Sequence, residues 1–260
     1  MPVVFGNHGI KLQGKITLPK GATASKPVPA AVLCHGFGAD RRVMQSSAAL
    51  LVKNGIATIV FDMRGHGLSE GRLDGKFHED VIDAWHTLTS LPEIDISRIA
   101  LIGHSLGAIS SILATRKIKK PQAIVALSCP AEIGGSIFGN PSHKVFSWAR
   151  RLFTLIGKNV VLFSHMKVKV DWKKFLESWP AIKLTPLLEE LNECAKLFVF
   201  SASDPITSFK RFAPFYVNAP GPKQTMLTKG SHVTSVEAEI LCLEWIGWTV
   251  SALAVQKQIA

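Results

Sequence analysis

The sequence predicts an α/β fold: a mostly parallel central sheet covered by helices on both faces. Three observations carry this. Short runs that are apolar at nearly every position alternate with segments of helical character. A Gly-x-Ser-x-Gly stands between one such run and one such helix. A basic, aromatic stretch after residue 130 interrupts the alternation, which then resumes.

The elements are taken in chain order. Lys11–Leu18 reads as an early, antiparallel strand, and Lys20–Pro29 as a polar, proline-bearing linker. Ala30–Cys34, Ile56–Phe61, Ile99–Ile102 and Ala123–Leu127 read as strands buried on both faces. Val43–Lys53, Glu79–Leu91 and Ala108–Lys117 read as the helices between them, with Asn54-Gly55 as a helix stop. From about Glu132 to Asn192 the alternation is lost, and this segment reads as a helical insertion over the site. Lys196–Phe200 and Lys223–Leu227 restore the strand pattern, and a last helix is expected over Ser235–Gln256. The domain is thus expected as a first core part at 1–130, an insertion at 131–193 and a second core part at 194–260.

Composition bounds the partners. The chain has 260 residues, of which 47% are hydrophobic, enough for one large core. Mean hydropathy is +0.22, yet no segment reads as a clean membrane span. Met1–Gly6 has neither a basic nor an apolar region of the kind a secretory signal needs. Cys34, Cys129, Cys194 and Cys242 are scattered without Cys-x-x-Cys spacing, which points to a reducing, cytoplasmic setting and argues against zinc. The net charge is +11, but no basic–aromatic nucleic-acid module accompanies it, so no nucleic-acid partner is expected.

Much of that excess charge lies between His143 and Lys174, where Asp171 is the sole acid. Val145, Trp148, Ala149, Leu152 and Ile156 recur there at helical spacing. Three uses stay open: a cover packed on the core, recruitment of an amphiphilic or anionic substrate, and weak contact with an anionic membrane surface.

Candidate chemistry centres on Gly103-His104-Ser105-Leu106-Gly107. A tight turn there lifts the Ser105 hydroxyl above the sheet, and a serine needs a neighbouring base to become a nucleophile. His232, in Gly230-Ser231-His232 after the last strand, is the base candidate. Asp204, after the strand ending at Phe200, is the acid candidate, with helix capping as its alternative role and Glu132 as its rival. His35-Gly36-Phe37-Gly38 ends an earlier strand, so the N–H groups of Phe37 and Leu106 are the candidate oxyanion donors. His104 is expected to point away from the serine hydroxyl, and His66 to structure its own loop.

These pieces, with Asp62-Met63-Arg64-Gly65-His66-Gly67-Leu68-Ser69, resemble the α/β-hydrolase superfamily, close to its cinnamoyl/feruloyl esterase and monoacylglycerol lipase-like branches. The resemblance spans about residues 30 to 235. It implies a sheet of about eight strands and a helical lid, with Asp62, Arg64 and Ser69 bracing their loop and neither metal nor organic cofactor required. The expected activity is cleavage of a moderately hydrophobic, small-molecule carboxylic ester by a serine carboxylesterase. The same triad acting on thioester, peptide or C–C bonds is an alternative, as is a non-catalytic binding protein on the same fold.

Overall fold

The computed structural model describes residues 1–7, 9–131, 160–163, 166–178, 182–232, 240–247 and 249–250. Eight strands form one sheet: β1 (Pro2–Phe5), β2 (Leu12–Thr17), β3 (Val28–Cys34), β4 (Ala57–Phe61), β5 (Ile94–His104), β6 (Ala123–Leu127), β9 (Ala195–Ser201) and β10 (Lys223–Thr228). Their spatial order is β1-β2-β4-β3-β5-β6-β9-β10. β2 runs antiparallel to β4 and to β1, while β3, β4, β5, β6, β9 and β10 are mutually parallel. This is the sheet of the α/β-hydrolase fold, with β1 as an edge strand beyond those expected from the sequence.

Six helices of the described residues accompany it: α1 (Gln45–Lys53), α2 (His78–Thr89), α3 (Leu106–Ala114), α4 (Trp172–Ser178), α5 (Thr185–Glu189) and α6 (Phe209–Val217). A further helical stretch lies within 240–250. The sheet separates two apolar clusters. Alternate residues of the strands face each, so Val32 and Leu101 lie on the side of α2 and α3, whereas Leu33 and Ile102 lie on the side of α1 and Ile246. Central strands buried on both faces therefore need apolar residues at nearly every position, as in β4, where Thr58 is the one polar residue, and in β6, which has none. Lys196 breaks that rule in β9. Its buried ammonium donates to the carbonyls of Leu191 (2.5 Å) and Cys194 (2.6 Å), which satisfies the charge's need for acceptors.

The insertion is not purely helical. Its described part begins with an antiparallel ribbon, β7 (Val160–Phe163) against β8 (Met166–Lys169), before α4 and α5. Val160-Val161-Leu162-Phe163 is rich in residues that favour extended backbone over helix, and this outweighs the expected helical pattern. The ribbon's end is stitched to the loop after β4: Leu73 donates its N–H to Lys169 O (2.8 Å), Lys169 to Gly65 O (2.8 Å), and Asp171 to Leu73 O (2.9 Å). Val145 to Ile156, the face expected at helical spacing, and much of the basic stretch lie outside the described residues, as do Glu132 and most of the last helix. No helix among the described residues is long and apolar enough to cross a membrane.

Candidate active site

Parallel register brings the strand ends to one rim. Cys34 pairs with Phe61 and Gly103, Gly103 with Ala126, and Ser201 with Thr228. The loops carrying His35, Asp62, Ser105, Asp204 and His232 therefore leave the sheet at the same, carboxyl-terminal edge.

Ser105 occupies the turn between β5 and α3 with φ 52° and ψ −113°, a conformation that L-residues avoid. The flanking glycines make that turn buildable. A Cβ on Gly103 would strike the Gly107–Ala108 backbone, and one on Gly107 would strike the Cys34 and His35 carbonyls. The backbone is pinned by Ser105 N–H donating to Leu127 O at 2.8 Å.

His232 and Asp204 meet this serine. His232 Nε2 lies 3.0 Å from Ser105 Oγ, and His232 Nδ1 lies 2.9 Å from Asp204 Oδ2. An ionised carboxylate only accepts, so Nδ1 carries the proton and Nε2 is left to accept from the serine hydroxyl. Asp204 is 5% exposed, and its other contacts are local. Oδ1 accepts the N–H groups of Ile206 and Thr207, both at 2.8 Å, while the Thr207 hydroxyl donates to Oδ2. Burial opposes ionisation of this carboxyl, but the donors from His232 and Thr207 outweigh it and hold it below the usual carboxylate range. The capping role is thus filled in part: Asp204 binds the turn directly after it, although α6 starts only at Phe209, after Ser208. The two loops are also tied by Ser203 N–H donating to Gly230 O at 3.0 Å.

On the other side of Ser105, the His35–Gly38 turn rests on buried polar groups. Met63 N–H donates to His35 Nε2 (3.0 Å), so the ring proton sits on Nδ1 and is given to Gly36 O (2.8 Å). His66 repeats the pattern, with Nε2 accepting from Gly38 N–H (3.2 Å) and Nδ1 donating to Arg64 O (3.0 Å). The two rings meet edge-on, 5.0 Å apart. Burial lowers the pKa of His35 to about 4 and of His66 to about 3, so both are neutral at pH 7. Below them, Arg64, 2% exposed, pairs with Asp80 (2.8 Å), Asp74 (3.0 Å) and Glu79 (3.2 Å). Asp62 accepts the N–H groups of Arg41 (2.8 Å) and Leu68 (2.9 Å) and the Arg41 guanidinium. Ser69 Oγ donates to Asp62 O at 2.6 Å. Asp62, Arg64 and Ser69 therefore brace the loop as the resemblance implies.

Phe37 projects toward the insertion. Its ring stacks on Phe175 at 6.1 Å and lies 6.4 Å from Trp172, both of α4. Burial pushes the thiols of Cys129 and Cys194 up to about 12. No group of His, Cys, Asp and Glu among the described residues is arranged to hold a metal.

Residues 25–176 match the family model of the serine aminopeptidase S33 hydrolases. The chain belongs to that family. Its curated relatives include thiohydrolase aneE of Aspergillus aculeatus, 35% identical over 128 residues that make up 47% of this chain and 38% of that protein. Esterase EstD of Thermotoga maritima is 33% identical over 131 residues, 46% of this chain and 31% of that protein. The match thus spans well under half the length of these relatives. Est1E of Butyrivibrio proteoclasticus, solved with ferulic acid bound, superimposes with a TM-score of 0.72 at 19% identity, over 99% of this chain and all (100%) of that one. At that identity the likeness is one of fold. The chain is an α/β-hydrolase.

The structure brings Ser105, His232 and Asp204 into one chain of hydrogen bonds. It adds Thr207 and His104, to which the sequence assigns no part in the site. Thr207 carries a signal in its spacing, since Asp with Thr three residues later is the geometry of a side chain folding onto its own turn. His104 carries none, because its partner is 128 residues away.

Proposed function

We propose that this chain is a serine hydrolase that cleaves carboxylic esters of moderately hydrophobic substrates through an acyl-enzyme. The supporting observation is the hydrogen-bond relay from Ser105 through His232 to Asp204 at the carboxyl rim of the sheet. In this reading Ser105 Oγ attacks the ester carbonyl as His232 Nε2 takes its proton, and Asp204 stabilises the imidazolium formed. His232 then protonates the departing alcohol. Water, deprotonated by the same nitrogen, releases the acid. The oxyanion is met by the N–H groups of Phe37 and Leu106. Leu106 opens α3, where an N–H has no partner within the helix, and Ala108 and Ile109 are the residues bonded to Ser105 O. The Phe37 turn is held rigid by the bond from Gly38 to His66.

A thioester is the second reading, favoured by the thiohydrolase among the relatives. A thioester takes the same attack and leaves as a thiol. The test is labelling with a fluorophosphonate probe, then turnover of 4-nitrophenyl esters of graded acyl length beside matched thioesters. Wild type should be labelled at Ser105. Ser105→Ala should fold normally by circular dichroism and lose roughly 10⁴ to 10⁶ in kcat. If Ser105→Ala keeps most of the activity, Ser105 is not the nucleophile. A preference for the thioester series selects the second reading.

A further inference from the structure

His104 precedes the serine in the chain, and its ring is half-buried. It fills the space between two loops. His104 Nε2 lies 2.8 Å from the backbone carbonyl of His232, and because a carbonyl only accepts, Nε2 carries the proton. The two imidazoles pack at 5.1 Å with a 56° tilt. On the opposite side is Gly36. A Cβ built there would stand 2.7 Å from His104 Nδ1 and 3.4 Å from Cε1, so the glycine in the His35–Gly38 turn leaves room for this ring. One side chain, fixed to the backbone that carries Ser105, thus touches both the loop of His232 and the turn that carries Phe37.

We infer that His104 is a positioning residue: it sets the placement of His232 relative to Ser105 and to the Phe37 turn, rests on the serine-hydrolase reading of the site, and takes no part in proton transfer. A hydrogen bond to the His232 main chain fixes where the imidazole is anchored, while Asp204 fixes how it is rotated. The two constraints are independent, and an angstrom-scale error in either is costly in rate. Burial lowers the pKa of His104 to about 4, against the opposing pull of the hydrogen bond to the His232 carbonyl, so the ring stays a neutral donor while the enzyme works.

The test uses His104→Gln, His104→Leu and Gly36→Ala, with wild type and Ser105→Ala beside them. Glutamine keeps an N–H donor, and leucine keeps bulk without one. His104→Leu should lose roughly 10- to 100-fold in kcat with KM within about 3-fold. Its fluorophosphonate labelling rate should fall in parallel, while its thermal midpoint moves little. His104→Gln should recover most of that loss. Gly36→Ala should lose activity by pressing on the ring, and the loss should shrink in a His104→Ala background, a non-additivity that reports the contact directly. The inference is overturned if His104→Leu keeps kcat within about 2-fold of wild type, or if glutamine and leucine behave alike. Failure of the underlying reading looks different: an unlabelled wild type, or an active Ser105→Ala, removes the triad and the positioning role with it.

Discussion

The two sides of Ser105 are held by different means. The turn of His35–Gly38 sits on fully buried rings, each using both of its nitrogens, with the Arg64 cluster beneath. The His232 side has little such depth. The His232 side chain is 21% exposed and is aimed by a few directed contacts, from Asp204, Ser105 and His104. Buried polar networks are costly to leave half satisfied, so damage to the first side should appear as lost stability. Damage to the second leaves the core intact and misdirects one imidazole, so it should appear as lost rate.

The largest expected effect tests the second half of that contrast. Asp204→Asn keeps the shape but removes the acceptor that selects the Nδ1–H tautomer, and kcat should fall roughly 10⁴-fold. Its urea midpoint should stay close to wild type; a large drop in the midpoint would place Asp204 among the structural groups instead. On the first side, Arg64→Leu leaves Asp80, Asp74 and Glu79 facing one another without their cation, and should cost about 3–5 kcal/mol in urea unfolding.

Acid should separate the two sides next. His35 and His66 have folded-state pKa values lowered, by burial, to about 4 and about 3. The unfolded chain takes up protons that the folded chain refuses, so their stabilisation is complete above about pH 6.5 and is lost as pH falls from there toward those lowered values. At pH 5 each should have lost about 2 kcal/mol relative to pH 7, read as a shift in the urea midpoint. His66→Gln, which can still accept from Gly38, should flatten that slope. An equally steep slope in the variant would mean that the protons bind elsewhere.

The smallest effect concerns Thr207. Its hydroxyl donates to the same Asp204 oxygen that receives His232. Thr207→Val should cost roughly 10-fold in kcat, about 1.4 kcal/mol, and Thr207→Ser should restore it. A valine variant with full activity would show that His232 and the backbone N–H groups of residues 206 and 207 suffice to orient the carboxylate.

Legibility in the sequence divides by range in the same way. The central parallel strands are readable because burial on both faces demands runs that are apolar at nearly every position, as in Ala57–Phe61 and Ala123–Leu127. Ser105 is readable because its turn needs glycines at fixed offsets, and His232 and Asp204 because a triad has a chain order and strand ends to occupy. β1 escapes because Pro2–Phe5 is a half-exposed edge whose pairing with β2 leaves no apolar periodicity. The ribbon of β7 and β8 escapes because a run of four residues cannot declare its own period against helical neighbours. His104 escapes for a different reason: what makes it matter is a contact with His232, and no local pattern encodes a partner that distant.

The stitching of the insertion to the loop after β4 bears on how such a protein can diversify. The inserted chain departs after Ala131, where Leu184 N–H returns to Ala131 O at 3.2 Å, and it is fastened again at Lys169 and Asp171. With both anchors fixed, lengthening the chain between them costs little in closure entropy, about 0.6 kcal/mol for each doubling. That segment can then vary in length while the sheet, the strained serine and the buried imidazoles are inherited untouched.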